Sequence, residues 1–123
     1  MQYMLLIYND PSGWDSMPEG DRGAIYGAYG TFTEELQASG KYVAGDALQG
    51  LETATSVRVR DGETLTTDGP FAETKEVLGG YYLIDVETLD EALEWAARIP
   101  SAKVGQPVEV RPLQPMTRPE AVA

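Results

Sequence analysis

The chain has 123 residues, 42% of them hydrophobic and 24% charged, the proportions of a single globular domain able to bury about two-thirds of its unfolded surface. Cysteine and histidine are both absent, which excludes disulfides, thiolate nucleophiles, imidazole bases and the usual zinc ligand sets. Twenty acids against nine bases give a formal charge of -11, and with no basic patch set apart from the acids, nucleic acid is not an expected partner.

Met1 to Tyr8 are largely apolar, but the stretch has no basic start and stops at Asn9-Asp10-Pro11. It is too short for a secretory core or a membrane span, so no membrane partner and a cytoplasmic address are expected. From Gln2 to Tyr8, Tyr3, Leu5 and Ile7 alternate with Met4, Leu6 and Tyr8, apolar on both faces as in a central strand. Asn9 to Asp15, with Pro11, Gly13 and Trp14, has the composition of a loop with one aromatic anchor. Ser16 and Glu19 have capping-box spacing, and behind them Ile25, Tyr29, Phe32 and Leu36 share one helical face. A helix from about Met17 to Ser39 follows, ended by Gly40. Within it Gly23, Gly27 and Gly30 each cost about 1 kcal/mol relative to alanine, or else mark a close approach by another backbone.

Lys41 to Leu48 forms a second strand. Thr55 to Arg60 and Glu63 to Thr67 flank Asp61-Gly62, a dipeptide favoured in two-residue hairpin turns. That register sets Arg60 opposite Glu63, with Val57 and Val59 on the other side. Val77 to Val86 is again apolar on both faces and belongs beside the first strand. Thr88 and Glu91 repeat the capping spacing, and Leu89, Ala92, Leu93, Ala96 and Ile99 make the stripe of a helix closed by Pro100. The last strand runs from about Pro107 to Leu113. The domain is therefore expected over residues 1–113, followed by a polar tail, 114–123, that is disordered or docks on a partner.

Strand, helix, strand, hairpin, strand, helix, strand is an α+β order: a ferredoxin-like split βαβ with an inserted hairpin. Two helices cover one face of such a sheet. The central strands carry apolar residues on both, so the second face calls for a partner sheet or a ligand, and a homodimer is the simplest solution.

Residues 68 to 76 read DGPFAETKE. With VLGGYYLIDV after it and VEVRPL near the end, this run resembles the DGPF subgroup of the YCII-related family over nearly the whole chain. The resemblance implies a ferredoxin-like domain that forms a dimeric α+β barrel. Some relatives in the wider family are similar to dehydrochlorinases and use a histidine and an aspartate, one on the first helix and one just after the second. Registered on Gly40 and Pro100, those positions hold Tyr29 and Ile99 here, so the dyad is missing.

Asp68-Gly69-Pro70-Phe71 has a plain structural account, in which Asp68 caps a turn, Gly69 supplies an unusual dihedral, Pro70 stiffens the chain and Phe71 anchors it. Its functional counterpart is a cleft rim on which Asp68 or Glu73 accepts a proton from a ligand; the structural account carries more weight. Lys75 is the one base among nine acids between Asp61 and Glu91, a surface ion-pair partner or an anion ligand. Tyr8, Tyr29, Tyr81 and Tyr82 line either a pocket or the core, and one of Tyr81 and Tyr82 must face the side without helices. Asp10 and Asp46, at strand ends, serve turn chemistry or approach the cleft, and Arg111 is expected to pair with a carboxylate. The candidate ligand-binding set is Tyr8, Asp10, Tyr29, Asp46, Asp68, Phe71, Lys75 and Tyr82. No calcium-loop spacing occurs, and neither a metal nor a cofactor is expected. The favoured function is a small-molecule-binding or regulatory module in the cleft of the dimeric barrel, DGPF domains occurring, by resemblance, alongside sigma-factor-like transcription proteins. The alternative is a lyase or isomerase with a carboxylate base in place of the missing dyad.

Overall fold

The alternation in β1 (Gln2–Asn9) decides where everything else goes, because Tyr3, Leu5 and Ile7 are buried while Met4, Leu6 and Tyr8 are half-exposed. β1 is flanked by β5 (Val77–Asp85) and β6 (Val108–Pro112), and β5 pairs in turn with β2 (Tyr42–Ala47). The result is an antiparallel four-stranded sheet in the order β2-β5-β1-β6, the strand order expected of a ferredoxin-like fold. The computed structural model describes residues 1–70 and 74–115; Phe71 and Glu73, and all but the first two residues of the expected tail, lie outside the described residues.

Two helices, α2 (Glu19–Ala38) and α3 (Leu89–Ala97), cover the side of the sheet that carries the buried residues. Phe32 and Leu36 of α2, with Ala92, Ala96 and Ile99 from α3 and the turn after it, meet Leu5, Tyr82 and Ile84 in a continuous core. Thr88 caps α3 by accepting from the Glu91 amide. The carboxylate of Glu91 reaches back one residue further than a capping box requires, to the Glu87 amide at 3.4 Å.

The segment expected as a loop contains a short helix, α1 (Pro11–Asp15). Asp10 is its N-cap, accepting from the Ser12 amide and hydroxyl at 3.0 and 2.7 Å, and Pro11 fits the first helical position because it has no amide hydrogen to satisfy. Ser16 therefore ends α1 instead of capping α2, and the start of α2 falls to Pro18, which has no side-chain cap. Glu19 and Asp21 in the first turn supply the negative charge that the helix N-terminus favours. Trp14 anchors α1 edge-on against Tyr26 of α2, with ring centroids 5.3 Å apart. The glycines of α2 resolve in favour of simple cost: a β-carbon at Gly23, Gly27 or Gly30 would meet nothing within 4 Å.

The glycine pair in VLGGYYLIDV has a different origin. Between Ile7 and Tyr8 the pairing with β5 shifts by one residue, leaving Gly79 as the extra residue of a bulge. A β-carbon on Gly80 would stand 2.9 Å from the Asp46 backbone oxygen, so only glycine lets β2 close on β5 at that point.

β3 (Thr55–Arg60) and β4 (Glu63–Asp68) pair only with each other, in the expected register with Arg60 opposite Glu63. Asp61 and Gly62 take φ of 52° and 80°, the left-handed pair that a two-residue hairpin turn requires. Gly69, with φ of 96°, supplies the unusual dihedral anticipated for it. Asp68 is the last residue of β4, opposite Thr55; the turn it was expected to cap runs on to Phe71, outside the described residues.

Candidate functional site

Because cross-strand partners share a face, the pairing assigns one side of the sheet to Met4, Leu6 and Tyr8 of β1, Leu78, Tyr81 and Leu83 of β5, Ala44 and Asp46 of β2, and Glu109 and Arg111 of β6. Among the described residues no helix covers this side. Its centre is apolar apart from the Tyr81 and Tyr8 hydroxyls, and its charged groups stand on the two edge strands. Arg111 makes no ion pair among the described residues.

One polar pair stands at the β2 margin of this face. The Tyr81 hydroxyl donates to Asp46 Oδ2 at 3.0 Å, joining two residues that lie opposite each other in the ladder. That hydrogen bond, followed by the negative charge of Asp46, raises the Tyr81 phenol above its ordinary value. Tyr81 is therefore a protonated donor at neutral pH, and the free lone pairs of Asp46 remain open to a second donor. Tyr82 points the other way. It is buried against Phe32, its hydroxyl is 2.7 Å from Thr33 Oγ1, and burial raises its phenol.

Both phenols ionise more readily in the unfolded chain, so their stabilising contribution is complete below about pH 10 and is lost as pH climbs through the folded values. A spectrophotometric phenolate titration, taken as the difference between the parent and Tyr81→Phe, should place Tyr81 above the ordinary phenol range. In Asp46→Asn it should fall back toward that range; an unchanged titration would show that Asp46 is not the cause.

The sequence candidates separate into four places. Tyr8 and Asp46 share the open face with Tyr81. Asp10 stands at the end of the sheet beyond β1, its carboxyl held below its usual range first by the Ser12 hydroxyl, then by the Ser12 amide, with a smaller part from the charge of Lys75. Tyr29 and Tyr82 are on the opposite side, packed in and against the core under α2. Ile99, at the position registered to the missing aspartate, is fully buried there. Asp68 stands at the base of the hairpin, fully apart from the Asp46–Tyr81 pair. Phe71 and Glu73 lie outside the described residues. Sequence reasoning left Tyr81 and Tyr82 as alternatives and favoured the buried one. What separates them is the ladder register, in which Tyr82 stands opposite buried Leu5 and Tyr81 opposite Leu6.

A second concavity lies in the helix layer, where Ala24, Ile25, Ala28 and Phe32 face Pro100 and Val104. Its rim carries an ion pair between Arg98 and Glu35. Among the described residues no group of three or more acids is placed to hold a metal ion.

The model of the YCII-related domain matches residues 1–117, nearly the entire chain. The chain belongs to the YCII-related family. An uncharacterized protein of Rhizobium meliloti (strain 1021) is similar to this YCII-related chain, at 37% identity over 114 residues, 92% of each chain. Among solved structures, the fold is similar to that of a 5-chloro-2-hydroxyhydroquinone dehydrochlorinase from Burkholderia phenoliruptrix AC1100, in complex with 2,5-dihydroxybenzoquinone. The TM-score is 0.57 at 18% identity, covering 93% of this chain and 94% of that one, a likeness of fold. No helix among the described residues is long and apolar enough to cross a membrane.

Proposed function

We propose that this YCII-related domain binds a small, flat, uncharged molecule bearing hydroxyl groups, on the helix-free face of its sheet, in a homodimer whose second copy covers the rest of that face. The observation that carries this is the Tyr81–Asp46 pair at the margin of a surface lined at its centre by Met4, Leu6 and Leu83. A face that served packing alone gains little from a carboxylate there, whereas a ring lying on Leu6 and Leu83 would find an acceptor for its hydroxyl within reach. The charge of -11 favours an uncharged ligand over an anion. A flat ring with two hydroxyls is also what the solved dehydrochlorinase complex holds.

Binding is favoured over catalysis by a carboxylate base. The chain has no histidine, and the positions registered to the relatives' dyad hold Tyr29 and Ile99 on the helix side of the sheet, so the open face lacks the base and orienting group of that chemistry. The Asp10 carboxyl is held below its usual range.

Protein-observed NMR with hydroquinone as the probe tests the proposal. Amide shifts are expected at Leu6, Tyr81 and Leu83. Asp46→Ala should weaken binding about 10-fold or more, since a hydrogen bond to a charged group contributes about 1.5 to 3 kcal/mol. Shifts confined to the helix layer, or an affinity indifferent to Asp46, would refute it.

A further inference from the structure

Among the described residues the hairpin formed by β3 and β4 pairs with no strand of the four-stranded sheet; at its base its own two arms are joined, the Gly69 amide donating to the Ala54 carbonyl and Ser56 Oγ to the Gly69 carbonyl. Every residue of β4 is exposed, and the apolar side chains of the arm stand in water: Val57 is 61% exposed, Val59 69% and Leu65 41%. Val57 and Val59 sit on one side with Thr66 and Thr64 opposite them. A lone two-stranded hairpin is at best marginally stable in water, so this arm needs a surface to lie on.

Area selects the surface. Four strands spaced about 4.8 Å apart and paired over about six residues offer roughly 400 Å², half of the about 800 Å² per partner that a stable interface buries. One side of the hairpin offers about 200 Å² by the same spacing. If each copy both extends its arm and receives the other's, each buries roughly 600 Å², the lower end of the range for a stable interface. The arm also leaves the domain between β2 and β5, at the end of the sheet where Leu48 and Leu78 are 50% and 38% exposed. Arg58 and Arg60 make no ion pair among the described residues.

We propose that the two copies exchange these hairpins. The Val57–Val59 side of each arm packs on the open sheet face of the other copy beside Leu48 and Leu78 and closes the site at Asp46 and Tyr81. The binding cleft is then incomplete in a single chain. This inference rests on the dimeric reading above and adds the arm that makes it stable.

The test is Val57→Asp/Val59→Asp in the full chain. Both side chains are exposed in the single chain, so the circular dichroism spectrum should match that of the parent. Sedimentation equilibrium should show a dimer dissociation constant raised at least 100-fold, and NMR titration a loss of hydroquinone affinity at the Asp46 margin in step with it. A variant that dimerises as tightly as the parent would overturn the exchange and leave the sheet-face dimer standing. A monomeric parent would remove the dimeric reading itself, and the exchange with it.

Discussion

Replacing Phe32 with alanine should cost about 3 to 5 kcal/mol of unfolding free energy, the range for truncating a buried aromatic. Phe32 is 4% exposed and joins the two layers of the fold. Its ring lies edge-on to Tyr82 of the sheet at 5.2 Å and to Trp95 of α3 at 6.0 Å, so truncation removes apolar burial and both aromatic contacts together. Tyr82 would feel the loss directly, since the ring is held from one side by Phe32 and at its hydroxyl by Thr33. Urea denaturation at one fixed chain concentration measures the change, the fixed concentration being needed because dimerisation adds to apparent stability. A cost under 1 kcal/mol would mean that α2 is not packed on the sheet as described.

Converting Gly23, Gly27 and Gly30 together to alanine should stabilise the domain by about 2 to 3 kcal/mol, close to 1 kcal/mol for each helical position. The three positions are exposed on α2, and an added β-carbon meets nothing within 4 Å at any of them. Only the backbone term changes. The same denaturation measurement applies. A loss of stability would reveal that another backbone lies against this side of α2 in the assembled protein.

The parts of the fold that were legible in the sequence are those set by local pattern. Two-faced apolar strands at Tyr3 to Tyr8 and at Val77 onward, the Asp61-Gly62 turn and the Thr88 cap each state their role within a few residues, and the structure has them where they were expected. α1 was written there too, as Asp10 followed by Pro11, an N-cap and a proline at the first helical position. Gly13 and the brevity of the segment concealed it, and the rival signal at Ser16 and Glu19 gave way because Pro18 lies between them. The site was less legible for a geometric reason. Asp46 and Tyr81 are 35 residues apart and meet through the pairing of β2 with β5, a register that no local pattern reveals. The pairing register with β1 likewise decides that Tyr81 and not Tyr82 faces the open side.

Native mass spectrometry at low micromolar chain concentration, with and without hydroquinone, tests the shared open face most directly. The account predicts a species of twice the 13.4 kDa chain mass that takes up one hydroquinone per chain, with uptake lost in Asp46→Ala and the dimer retained. A single-chain species that takes up no hydroquinone would contradict it.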